Sequence, residues 1–379
     1  MLEGLKQLRK ELHQNPELSG QEVKTAERIR KFLEKQSSAR LICGIGGHGL
    51  AAVFDFPEEG PSILIRCELD ALPIEEENKF GYRSVCKGVS HKCGHDGHMT
   101  IVAGLAMWLE KQDFNAGKVI LLFQPSEETG KGAYAMLKDP KYAELKADYA
   151  FALHNLPGEE LHSIIKTAPA FSSTVQSLAI HLKGKQSHAS EPENGINPAM
   201  AVAQITTAFA ELNQGDIKKP DFALLTPVCI KMGSVDYGIS AGTGEMHYTL
   251  RSISEEKMEN LKTDLLRLIS EVCEKEKLKF TTAWFDYFPA TMNDEFCNEM
   301  IATAAKENGL KLIERAYPNK FGEDFGWFSK ETRAAMFGLG SGTASPALHH
   351  SDYDFPEEII ESGIAMFSKI ICQILSRPK

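Results

Sequence analysis

Apolar residues near the start of the chain recur at helical intervals. Leu5, Leu8 and Leu12 share one face, and Ala26, Ile29, Phe32 and Leu33 form the stripe of a second helix over 23–33. Short apolar runs of strand length follow, each bounded by turn residues, at 51–56, 62–67, 118–123, 149–153 and 333–339. Two of these runs, Ile63-Leu64-Ile65 and Val119-Ile120-Leu121-Leu122-Phe123, do not alternate with polar residues. Continuous apolar runs suit strands covered by helices on both faces, as in α/β sheets. A helix is predicted over 99–111, with Ile101, Val102, Leu105 and Leu109 apolar.

The middle of the chain has a different rhythm. Leu178, Ile180 and Leu182 alternate with Ser177, Ala179 and His181 across 175–183, and a helix with Val202, Ile205, Phe209 and Leu212 fits 197–213. Strands at 226–232 and 245–252, a long helix over 254–277 and a strand at 279–285 complete a β-α-β-β-α-β order. That is the ferredoxin-like arrangement, and its alternation suits a sheet with one open face. The predicted fold class is α/β: a mixed-sheet domain from 1–171 and 288–379, interrupted by an α+β ferredoxin-like domain at 172–287.

Composition narrows the partners. The 42 Lys+Arg against 52 Asp+Glu leave a net charge of −10 in 379 residues, which argues against nucleic acid or an anionic membrane as partner. No apolar run reaches membrane-spanning length, and the opening residues lack the apolar core of a signal peptide. The eight scattered cysteines then read as reduced thiols, and a cytoplasmic location is expected.

In open α/β sheets, reactive groups gather beyond the carboxyl ends of the strands. Here Glu68 and Asp70 follow the 62–67 run, Glu127 and Glu128 follow 118–123, and His154 and Asn155 follow 149–153. The 333–339 run leads to His349 and His350, and Cys93-Gly94-His95-Asp96-Gly97-His98 reads as a loop opening the 99–111 helix. Thiolate, imidazole and carboxylate together suit a divalent ion such as zinc or manganese. Cys93, His95, Glu128, His154 and a C-terminal His are too many for one tetrahedral ion, which points to two ions sharing a bridging ligand. Adjacent residues at the end of an extended segment point to opposite sides, so Glu127 and Glu128 are expected to divide the work, one as ligand and one as general base. Gly44-Ile45-Gly46-Gly47-His48-Gly49 matches a dinucleotide-binding fingerprint, but the residues after it read as a strand where a helix is required. No nucleophile elbow or Walker lysine is present.

Several segments resemble the di-metal amidohydrolases of the hippurate hydrolase and auxin–amino-acid conjugate hydrolase type, in the aminoacylase/carboxypeptidase superfamily. They are 9–17 (RKELHQNPE), 68–74 (ELDALPI), 93–98 (CGHDGH), 124–130 (QPSEETG), 153–158 (LHNLPG), 184–189 (GKQSHA), 322–328 (GEDFGWF) and 348–355 (LHHSDYDF), in the family's order across nearly the whole chain. The resemblance implies a zinc-peptidase-like catalytic domain and an inserted lid that forms a homodimer. It implies Cys93, His95, Glu128, His154 and His349 as ligands of two ions, with Cys93 bridging and His349 preferred over His350. The ions would be zinc or manganese, with cobalt and nickel as further candidates. Glu127 would be the general base, His188 would steady the oxyanion, and Asp70 would hold an imidazole from behind. Arg251 and Asn155 would contact the substrate, a small N-acyl amino acid or peptide-like molecule. The alternatives are a dipeptidase or carboxypeptidase on the same ions, or a non-catalytic metal-binding homologue. Two departures from the family stand out. Arg66-Cys67-Glu68-Leu69-Asp70 replaces an Arg-Ala-Asp-x-Asp pattern, and Tyr237-Gly238-Ile239-Ser240-Ala241-Gly242 replaces an Asn-Val-Ile-Pro segment that shapes the substrate pocket.

Overall fold

Helix α1 (Leu2–Gln14) buries Leu5, Leu8 and Leu12 as their spacing predicts, together with Arg9 and His13. The computed structural model describes residues 2–376. After α1 come α2 (Val23–Gln36), β1 (Arg40–Ile45), β2 (Gly49–Asp55), β3 (Glu58–Glu68), α3 (His95–Leu109), β4 (Ala116–Gln124), α4 (Gly132–Lys138), β5 (Tyr149–Leu156) and β6 (Ile164–Thr167). The middle of the chain supplies β7 (Thr174–Lys183), β8 (Ser187–His188), α5 (Ala199–Glu211), β9 (Ala223–Met232), β10 (Ile239–Ser240), β11 (Thr243–Ser252), α6 (Glu255–Lys275) and β12 (Lys279–Phe288). The chain closes with α7 (Glu295–Glu307), β13 (Leu312–Arg315), α8 (Gly326–Ser329), β14 (Arg333–Gly340) and α9 (Ile360–Leu375).

Two compact units result. The first takes in the residues up to Phe171, Thr291–Tyr317 and the chain from Asp324 onward; the second is Ser172–Ala290 with Pro318–Glu323. The mixed α/β fold expected from the sequence is present in the first unit as an eight-stranded sheet, in the order β1-β2-β4-β3-β5-β14-β6-β13. Its central strands β4, β3, β5 and β14 are mutually parallel, so their carboxyl ends lie at one edge. Consecutive residues Ile63 to Ile65 and Val119 to Phe123 are all buried, which requires cover on both faces. Helices α1, α3 and α9 pack together in the main apolar cluster with Ile63, Ile65, Leu121 and Phe123.

The second unit is the predicted ferredoxin-like module. Its four strands run β12-β7-β11-β9, every neighbour antiparallel. Leu178, Ile180, Leu182, Met246 and Leu250 bury one face against Ile205 and Phe209 of α5 and Leu265 and Ile269 of α6. Among the described residues no helix is long and apolar enough to cross a membrane.

Candidate metal centre

Cys93, His95, Glu128 and His154 stand at or just beyond the end of a parallel strand or at the start of a helix, whereas His349 lies in the turn segment after β14. Helix α3 starts at His95 rather than at 99, so His95, Asp96 and His98 occupy its first turn instead of a preceding loop. The turn into it is made by Gly94 at φ +89, where a Cβ would lie 2.6 Å from the Asn155 amide oxygen, so only glycine fits. His154 lies in β5, and Glu127 and Glu128 follow β4. His349, in the segment after β14, has a left-handed backbone at φ +66.

These elements bring Cys93, His95, Glu128, His154 and His349 into two overlapping donor groups. Cys93, His95 and His154 form one and Cys93, Glu128 and His349 the other, with ligand atoms in each within 4.8 Å of one another. Sharing of Cys93 is the arrangement a bridging thiolate needs. His154 Nε2 lies 3.5 Å from Cys93 Sγ, and His349 Nε2 lies 3.8 Å from Glu128 Oε1. Among the described residues, His350 joins no such group.

The tautomers suit metal binding. His95 Nδ1 donates to the Asp70 carbonyl at 2.9 Å, and His154 Nδ1 donates to the Asn155 carbonyl at 2.9 Å. A carbonyl can only accept, so each Nδ1 carries a proton and each Nε2 is the ring atom left to meet a cation. His95 Nε2 is buried with no hydrogen-bond partner, an orphan that a cation would satisfy. Burial, then Glu128, Glu127 and Glu68, push the Cys93 thiol well above its usual range. Burial alone would lower His95, but Asp70, Glu68 and Glu128 outweigh it and raise it to about 10. Burial, then His98, brings His154 down to about 3, keeping that imidazole neutral. The surplus of negative charge around a thiol and buried imidazoles fits divalent cations and little else.

Glu127 and Glu128 depart from the expected geometry. They sit in a single 3₁₀ turn, Glu127–Thr129, entered through Ser126 at φ 56, not at the end of an extended segment. Both carboxylates therefore face the same imidazole, each 3.9 Å from His95 Nε2. Glu128 groups with Cys93 and His349 as well as with His95, whereas Glu127 shares no group with Cys93.

The supporting residues were mostly hidden in the sequence. Asp70 holds His95 through its backbone carbonyl; its carboxylate Oδ1 stands 3.6 Å from Nδ1, while Oδ2 accepts from Ser19 Oγ at 2.7 Å and from the Glu128 amide at 3.0 Å. Asn155, expected to touch substrate, is fully buried and its amide is spent internally. Its Oδ1 meets His98 Nε2 at 2.5 Å and its Nδ2 donates to the Tyr353 hydroxyl at 2.5 Å, so it braces the centre instead. His98 Nδ1 bonds Glu68 Oε2 at 2.7 Å. Arg66, fully buried, pairs with Glu68 and with Asp324 Oδ1 at 2.7 Å, and Gln124 Nε2 donates to both Asp324 oxygens at 2.7 and 2.8 Å. The available signal was a charged residue inside an otherwise apolar strand, which needs a buried counterion.

His188 and Arg251 belong to the second unit. His188 is exposed, with Nδ1 2.7 Å from Ser190 Oγ, and it pairs across strands with Ile239 of the divergent 237–242 segment. Arg251 Nη1 donates to the Lys320 carbonyl at 2.9 Å, and burial lowers its pKa.

Fold and donor set together define a metal-dependent hydrolase with a dinuclear centre. Residues 64–373 match the family described as Peptidase family M20/M25/M40, and the chain belongs to that family. It is 31% identical to N-acetyl-L-cysteine deacetylase of Bacillus subtilis (strain 168), over 93% of this chain and 84% of that protein. It is 26% identical to hippurate hydrolase of Campylobacter jejuni, over 97% and 96% of the two chains. A solved dinuclear metal-binding peptidase of the M20 family from Bacillus subtilis superimposes with TM-score 0.84 at 26% identity, covering 99% of this chain and 98% of that one. The chain is accordingly a hydrolase of amide bonds, and two divalent ions are its cofactors.

Proposed function

We propose that the protein cleaves the amide bond joining an acyl group to the amino nitrogen of an amino acid or close analogue. The buried Glu127 carboxylate, placed beside the shared donor cluster without grouping with Cys93, carries this reading. Cys93, His95, Glu128, His154 and His349 would hold two divalent ions, which when bound would polarise the amide carbonyl and acidify water. Glu127 takes the proton from the attacking water at its carboxylate and returns it to the departing amine. His188 is the proposed donor to the developing oxyanion, and Arg251 the proposed partner of a substrate carboxylate. A thiolate ligand favours zinc over manganese, cobalt or nickel. The names of the relatives, an N-acetylcysteine deacetylase and a hippurate hydrolase, support an acylated amino acid over a free dipeptide. A cytoplasmic homodimer acting on a small molecule, without nucleic-acid or membrane partners, completes the proposal.

The test is amine release from N-acetyl, N-benzoyl and dipeptide substrates, with Zn²⁺ or Mn²⁺ and with chelator. Chelator-sensitive release from acylated amino acids is expected, and preference for free dipeptides would replace this reading with a dipeptidase. Glu127→Gln should retain both ions while losing roughly 10²-fold or more in kcat. Parallel loss of metal and activity would make Glu127 a ligand instead.

A further inference from the structure

Lys92 directly precedes Cys93 and is wholly buried, an unusual place for a lysine. Its Nζ donates to Glu76 Oε1 at 2.6 Å, Asn78 Oδ1 at 2.7 Å and the Tyr353 carbonyl at 2.8 Å. All three ammonium donors are thus used. The Lys92 carbonyl accepts from the His349 amide at 2.8 Å. One residue therefore grips the segment 349–353 at both ends, through its main chain at the start and its side chain at the finish.

That segment needs holding. His349 has φ +66, a conformation non-glycine residues keep only where their surroundings impose it, and its side chain is 51% exposed, so burial does not fix it. Residues 76–78, which Lys92 also anchors, add two further ties: Glu77 N to the Ser351 carbonyl at 3.1 Å and Asn78 Nδ2 to the Asp352 carbonyl at 2.9 Å. His95 and His154 are oriented differently, each by a carbonyl on a neighbouring strand end or on its own strand, with no part played by Lys92.

We infer that Lys92 is a positioning residue for one half of the dinuclear centre: its buried ammonium clamps the 349–353 segment to residues 76–78 and so sets His349 Nε2 against Glu128 and Cys93. The inference rests on the two-ion reading of the site. Lys92 touches neither ion nor substrate; it acts through His349.

Lys92→Met keeps the length of the side chain and removes its donors. Metal-free protein titrated with Co²⁺, followed by visible absorption, should show two equivalents for the parent chain. In the variant, one equivalent should keep parental affinity and the other should weaken roughly 10- to 100-fold, the range seen when the support of a ligand is lost. Lys92→Gln, which keeps a donor for the Tyr353 carbonyl, should fall between the two and serves as the measured variant if Lys92→Met does not fold. Parental affinity at both sites with only a lower melting temperature would overturn the inference, leaving Lys92 a purely structural residue. Equal weakening of both sites would overturn it too, because the support would not be specific to His349. A parent chain binding a single equivalent would defeat the two-ion reading itself, and that failure is visible before any variant is made.

Discussion

At the scale of single residues, the centre depends on charged groups that its neighbours keep in one protonation state. His13 lies buried between Asp96 Oδ2 and Glu76 Oε1, each at 2.9 Å. Burial alone would lower its pKa, but the hydrogen bonds its ring donates to both carboxylates, with the charge of Asp96, outweigh this and raise it from 6.5 to about 9. A raised basic pKa contributes stability that is fully present below the unfolded value, near 6.5, and is lost as pH climbs towards 9. The contribution is at most about 3 kcal/mol, from the size of the shift. Denaturant midpoints of the metal-loaded protein should therefore fall between pH 6.5 and 9. His13→Gln, which cannot titrate, should start lower and show a flatter profile. An unchanged slope in the variant would assign the pH dependence to other groups. The same network works in the opposite sense in acid: Glu76 is brought from 4.5 to about 2, burial being overcome by His13 and Lys92, so its share is lost as pH falls through that window.

At the scale of elements, the start of α3 shows two effects of opposite sign. Gly97 lies in the first turn of the helix, and a Cβ there would sit 2.4 Å from three ring carbons of the buried Phe355. Alanine would gain about 1 kcal/mol of helix propensity over glycine. Overpacking a rigid aromatic contact costs about 1–3 kcal/mol, and Phe355 follows closely on the segment bearing His349. Gly97→Ala should therefore destabilise the protein and weaken metal uptake together, as read by thermal melts and metal titration. A higher melting temperature would show that propensity wins.

The same turn explains what the sequence concealed. Two glycines and a run of polar residues at 93–98 look like a loop, and only the packing of Gly94 on Asn155 and Gly97 on Phe355 makes them a helix start. The long buried strands β3 and β4 were legible because unbroken apolar runs have few other uses. Strands β6 and β13 have four residues each and exist only by pairing with one another and, for β6, with β14. Nothing local in Ile164–Thr167 or Leu312–Arg315 distinguishes them from ordinary loop. That the metal donors would cluster was legible because Cys, His and Glu at successive strand ends have no apolar explanation, whereas the choice of His349 and of Glu128 came from the family resemblance. The roles of Asn155, His98 and Lys92 were not legible, because their partners lie 14 to 261 residues away in sequence and no pattern links them.

At the scale of the whole molecule, the ions and the stability of the fold are coupled, but only through one of the two units. All five proposed ligands lie in the first unit, and its apolar cluster shares no residue with that of the second, built on Leu178, Met246 and Leu265. An ion that binds the folded state alone adds about 2.7 kcal/mol when its free concentration is a hundred times its dissociation constant. Two ions should add about twice that to the opening of the first unit. Without them, the Cys93 thiol stays buried beside Glu128, Glu127 and Glu68, and burial and their charges oppose its ionisation. Chelation should therefore lower amide-exchange protection in α3, β5 and the ends of β3 and β4, with much smaller changes in β7, β11 and α6. Hydrogen exchange with and without chelator reads both predictions at once. Equal loss of protection across the two units would mean that they unfold as a single cooperative body, and loss confined to β7 and β11 would place the ions elsewhere than Cys93, His95, Glu128, His154 and His349.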